Sequence, residues 1–142
     1  MTDKDRFNLQ RFVDAQEPEY EQVGRELRAG RKTSHWMWFI FPQIAGLGHS
    51  PTAQWFAISG RTEAEAYLQH PVLGPRLREC TRLVNEVEGR DIQDILGGVD
   101  AMKFRSSMTL FAKVTEENQV FLRALAKYFA GEMDALTLGK MK

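Results

Sequence analysis

The residues best suited to chemistry fall in two short stretches. The first is Ser34-His35-Trp36-Met37-Trp38-Phe39-Ile40-Phe41-Pro42-Gln43-Ile44, preceded by Arg31 and Lys32 and followed by the turn Gly46-Leu47-Gly48-His49-Ser50. The second is Lys103-Phe104-Arg105-Ser106-Ser107. Small-molecule pockets combine apolar walls with a few convergent polar groups. The first stretch has both kinds of residue: Trp36 and Trp38 as walls, His35 and Gln43 as polar tips. His35 is the candidate general acid/base, because imidazole is the side chain most used for proton transfer. Lys32 and Arg105 supply cations, and the planar fork of Arg105 suits phosphate or carboxylate. The backbone N–H groups after Gly48, where Pro51 opens a helix, offer a further anion contact. Ser106 and Ser107 lie within about one and a half helical turns of Lys103. Together these residues describe a pocket for a small anionic ligand, such as a nucleotide or nucleotide-sugar. The alternative is a non-enzymatic module that buries a helix face against a protein partner, in which the acidic residues Glu17, Glu19 and Glu21 matter more than His35.

Each of these residues also has a plainer structural use. Trp36, Trp38, Phe41 and Trp55 suit a core, where large aromatics dominate burial. Gly46 and Gly48 suit a tight turn needing positive φ. Ser106, Ser107 and Thr109 lower helix propensity but let helices approach closely, with Arg105 then pairing with Asp100 or Glu132. His35, His49 and His70 are the only histidines. None belongs to an HExxH motif or to an i, i+4 pair, and CxxC is absent, so no metal site and no cofactor are expected. GxSxG, Walker and GxGxxG motifs are also absent, and no motif fixes a reaction.

The elements that must position these residues read as helices. The 142 residues are expected to form a single helical domain, 1–142. Formal net charge is zero, which argues against broad binding to nucleic acid. The lone Cys80 rules out an internal disulfide and reads as a core residue. No signal peptide is visible, and the longest apolar run, Trp36–Phe41, is far short of the ~20 residues that span a bilayer. The expectation is a cytoplasmic protein without membrane contact. Helical spacing recurs through 5–16, 19–29, 73–87, 101–114 and 118–130, with shorter pieces at 51–58, 62–68, 91–96 and 135–138. Ser50 and Asp134 suit N-caps, Asp100 suits the cap of 101–114, and Thr62-Glu63-Ala64-Glu65 matches a capping box. Residues 36–41 are compatible with strand or buried helical turn. A short helix or irregular segment is favoured there, since no partner strand is evident. The sum is an all-α bundle of about eight helices, several short, with a buried aromatic segment after the second.

Several longer strings carry a family likeness. They are Phe12-Val13-x-Ala15-Gln16, Gly30-Arg31-Lys32-x-Ser34 through Gln43, Gly46-Leu47-Gly48-x-Ser50, His70-Pro71-Val72-Leu73-Gly74-x-Arg76-Leu77, and Lys103 through Phe111. With these strings the chain resembles the family called domain of unknown function 1810 over nearly its whole length. The resemblance implies a small, cytosolic, mainly helical domain of bacterial type with no assigned reaction. Proteins of this family often carry the label calpastatin. The inhibitory repeats of calpastatin are disordered and polar, unlike a chain with nine phenylalanines and a full apolar pattern, so that label is not carried over.

Overall fold

Apolar residues at helical spacing produce ten α-helices in the computed structural model, which describes residues 5–142. The charged start Met1–Lys4 lies outside the described residues. The helices are α1 Gln10–Gln16, α2 Tyr20–Arg28, α3 Met37–Ile40, α4 Pro51–Trp55, α5 Arg61–Gln69, α6 Leu73–Glu86, α7 Ile92–Leu96, α8 Gly98–Ala112, α9 Gln119–Phe129 and α10 Ala135–Lys140. The number exceeds the expected eight, in part because residues 37–40, left open between strand and buried helical turn, form the separate helix α3.

α8 is the axis of the molecule. Every residue from Ser106 to Ala112 is buried, as befits a helix with core on all sides. α5, α7, α9 and α10 pack against it, while α6 packs on α2, α3, α5 and α9. Two chains of aromatic contact hold these helices together. Phe12 meets Tyr67 edge-on at 5.0 Å, Tyr67 meets Phe111 at 5.3 Å, and Phe111 meets Phe121 at 6.1 Å. These rings come from α1, α5, α8 and α9. Trp36 meets Phe41 at 6.2 Å, and Phe41 meets Phe104 edge-on at 4.9 Å. The aromatic run after α2 is therefore mostly core, as expected, and residues 37–40 form one helical turn rather than a strand.

After Pro42 the chain makes an excursion that closes on itself. Ile44 and Ile58 form an isolated parallel bridge. Ile58 N–H donates to the Gln43 carbonyl and Ala45 N–H to the Ile58 carbonyl, both at 2.8 Å. α4 rides on this excursion, with Ser50 Oγ accepting from Ala53 N–H at 3.1 Å as its N-cap. Asp134 caps α10 in the same way.

Two expected caps do not form. α5 begins without a side-chain cap, and the Thr62–Glu65 capping box is absent. The helix starts a residue earlier, with Gly60 as its N-cap, which puts Thr62 inside the first turn; there the Glu63 carboxylate accepts from Ser59 N–H at 2.8 Å and pairs with Arg11 at 3.0 Å. α8 starts at Gly98, two residues before its expected cap Asp100. Asp100 lies in its first turn, where a carboxylate favours the helix dipole, and is held by Lys32 at 2.9 Å. Among the described residues no helix is long and apolar enough to cross a membrane.

Candidate functional site

Two adjoining hollows lie between the 43–48 turn and α8, and Gln43, Gly48 and Lys103 line both. The inner hollow, walled by Met37, Trp38, Phe41 and Phe56, has about 20 Å³ of free space, room for roughly one water molecule. The outer hollow has about 280 Å³ and is bordered by Leu47, Val99, Met102, Ser106, Asp134 and Leu136. That places it at the small end of ligand sites.

The local folding explains this convergence. α3 sets Trp38 half-exposed beneath the ammonium of Lys103, 5.3 Å from the ring. The Gln43 carbonyl is fixed by Ile58, which leaves the side chain to line both hollows. Gly46 takes φ 99°, a conformation that favours glycine. At Gly48 a Cβ would come within 2.6 Å of the Ala53 Cβ, so the turn needs its bare backbone to approach α4. Lys103 and Ser106 are neighbours at i, i+3 on the cleft side of α8.

The charges are arranged unevenly. The Asp100 carboxylate lies between two ammonium groups, Lys32 at 2.9 Å and Lys103 at 3.8 Å. One carboxylate cannot neutralise two cations, and the nearer partner is Lys32. Asp134, at the other rim, is tied to α10: its Oδ2 accepts from Ser106 Oγ at 3.2 Å, Thr137 N–H at 3.0 Å and Thr137 Oγ1 at 2.6 Å.

The other residues singled out from the sequence lie elsewhere. Trp36 is wholly buried, and its Nε1–H donates to Glu26 at 2.9 Å. Lys32 is almost fully buried over the Trp36 ring and reaches the cleft only through Asp100. Arg105 donates to the carbonyls of Glu132 at 2.9 Å and Met133 at 3.1 Å and lies 3.6 Å from the Glu132 carboxylate, one of the two partners expected for it. Ser107 is in the core, its hydroxyl without a partner among the described residues. His35 is exposed and lines neither hollow. The N–H groups after Gly48 are partly committed, since Ser50 takes those of Ala53 and Gln54. Thus Trp38, Gln43, Gly48 and Ser106 come together, with Lys32 one residue removed; His35, Trp36, Arg105 and Ser107 do not join them.

Sequence reasoning missed two residues. In the sequence Lys103 reads as part of a cationic string, and the structure makes it the cation at the cleft. Glu26 was not singled out, yet its buried carboxylate accepts from Thr33 N–H at 2.8 Å, Ser34 N–H at 3.1 Å, Gln22 Nε2 at 2.8 Å, the Ser34 hydroxyl and Trp36. Burial alone would raise this carboxyl, but the hydrogen bonds from Ser34, Thr33, Gln22 and Trp36 outweigh it and hold the group well below the usual carboxylate range. The available signal was a charged residue among Val23 and Leu27 on the inward side of α2. Cys80 is buried, and burial pushes its thiol up to about 12, which keeps it a thiol rather than a nucleophilic thiolate. Among the described residues no three His, Cys, Asp or Glu side chains gather as a metal site.

A family model described as "Protein of unknown function (DUF1810)" matches residues 6–141. The chain belongs to this family. Its architecture is similar to the crystal structure of the conserved hypothetical protein Rv1873 from Mycobacterium tuberculosis, with a TM-score of 0.94 and 58% sequence identity over 95% of this chain and 96% of that one. No curated protein matches the chain. The helical fold is thus shared nearly end to end by the two proteins.

Proposed function

We propose that this DUF1810 protein binds a small anionic molecule of the nucleotide or nucleotide-sugar class in the cleft between the 43–48 turn and α8, and that it does so in the cytoplasm. The observation that carries this is the row Lys32, Asp100, Lys103. Lys32 satisfies Asp100 from the buried side, so the ammonium of Lys103 is the cation left to meet a ligand. It lies over Trp38 at the junction of the two hollows. The ligand's anionic group seats there. Its planar or apolar part lies on Val99, Met102 and Leu136, and its hydroxyls reach Gln43 and Ser106. With His35 outside the cleft, the function supported is binding rather than proton transfer.

Thermal unfolding against nucleotides, NAD, ADP-ribose and sugar phosphates tests this. A ligand at about 100 times its Kd adds roughly 2.7 kcal/mol, worth several degrees in a chain of this size. Lys103→Gln should erase that shift while altering the ligand-free Tm little, because its pairing with Asp100 is long and partly solvated. A panel with no effect, or a shift that survives Lys103→Gln, overturns the proposal.

One observation favours a protein partner instead. Val99, Met102 and Leu136 are 73%, 50% and 67% exposed around the same cleft, and clustered exposed apolar side chains mark interaction surfaces. Under that reading the small-molecule panel is silent and Leu136→Asp abolishes association with the partner.

A further inference from the structure

We infer that a second anion site lies in the groove between α6 and α9, built by Arg78, Arg82 and Arg123, and that it takes the phosphate group of a small phosphorylated molecule. This site is separate from the cleft and shares no lining residue with it. α6 presents Pro75, Arg78, Glu79 and Arg82 at i, i+3, i+4 and i+7, one continuous face of a helix. α9 supplies Val120 and Arg123 from the other wall. The groove encloses about 460 Å³, within the range of small-molecule sites and larger than the cleft.

The lining carries three positive charges against one negative, in a chain whose formal net charge is zero. The three arginines differ in how they are held. Arg82 is bracketed on its own helix by Glu79, at 2.8 Å, and Glu86. Arg78 donates to the Glu117 carbonyl at 2.7 Å and lies over the Phe121 ring, 5.3 Å from its centroid. A carbonyl and a ring orient the guanidinium but do not cancel its charge. Its remaining donors, out of five in a rigid fork, are free for a ligand. Arg123 is exposed and forms no ion pair among the described residues.

Two uncompensated guanidinium groups therefore reach one groove from opposite helices, with Pro75 and Val120 as its apolar lining. Phosphate oxygens match this geometry, because each can accept from a forked guanidinium and the group carries enough charge to draw Arg82 from Glu79. A single carboxylate offers fewer acceptors and less charge.

The test is a titration of the full chain, ¹⁵N-labelled and at low ionic strength, with inorganic pyrophosphate as the probe. Amide shifts in α6 and α9 are expected as one group that titrates together, distinct from any around Lys103 in the cleft. Arg78→Ala and Arg123→Ala should each weaken the apparent affinity about tenfold, the loss of one charge-assisted contact. Arg123→Ala leaves no internal bond unmade, so its Tm should stay that of the unaltered chain. Lys103→Gln should leave the α6 and α9 shifts and their affinity unchanged, which separates this site from the cleft. Shifts scattered over all basic residues, or full affinity in Arg123→Ala, overturn the inference. So does binding that is silent to pyrophosphate but grows with the length of a single-stranded oligonucleotide, which would mark a nucleic-acid surface.

Discussion

Glu26 is a carboxylate on which a loop depends. It gathers the backbone of Thr33 and Ser34 and the indole of Trp36 onto α2, so its removal leaves several buried donors without acceptors. Glu26→Ala should cost about 3 kcal/mol, the scale of lost hydrogen bonds to a buried charge, measurable by urea unfolding. Its folded-state carboxyl sits below the ordinary value of 4.5, so its stabilisation is present above that pH and fades as pH falls through and below it. The stability gap between the unaltered chain and Glu26→Gln should therefore narrow from pH 5 toward about pH 3. The cleft residues show why single side chains were only partly legible. Lys103, Arg105, Ser106 and Ser107 are close in sequence, but a helix turns about 100° per residue. Val99, Met102, Lys103 and Ser106 share the cleft side, Ser107 lies about a quarter turn away in the core, and Arg105 reaches the 132–133 carbonyls. Trp36 and Trp38 divide likewise between core and cleft. Composition showed which groups were near; direction depended on helix phase that short segments do not reveal.

At the level of elements, the joint between α5 and α6 holds the most crowded of the described glycines, Gly74. A Cβ on Gly74 would lie 2.1 Å from the Leu68 carbonyl oxygen, a backbone atom that cannot rotate away. Gly74→Ala should destabilise by about 2 kcal/mol or more through backbone displacement, and a thermal melt would show it. The same joint uses His70, whose Nδ1 accepts from Val72 and Leu73 N–H at 3.1 and 3.3 Å at the head of α6. Helix positions were legible because apolar spacing and short-range caps are local. Ser50 and Asp134 each reach three residues ahead, and both form as expected. The capping box at Thr62 fails because α5 starts a residue earlier, at Arg61 with Gly60 as its N-cap, which leaves Thr62 inside the first turn. In that turn Glu63 pairs with Arg11, 52 residues away, and nothing local announces a contact of that range.

For the molecule as a whole, an all-α architecture followed from helical periodicity and the lack of any second extended segment. What periodicity could not supply was the centre. The second half of α8, residues 106–112, carries apolar or small residues on every side, and only its neighbours decide that it is the axis while α6 and α9 keep a charged outer groove. The family likeness covers nearly the whole chain without adding a reaction. The bridge between Ile44 and Ile58 has one more consequence. It is the sole clasp of its kind among the described residues, and two amide protons, on Ala45 and Ile58, form it. If the excursion that walls the cleft can swing out while the helices stay folded, those two protons should trade with deuterium at one common rate, well ahead of the α8 amides, because local opening costs less than global unfolding. A molecule held in the cleft would slow that pair and leave α8 untouched. Their exchange would then measure how freely the cleft admits its ligand.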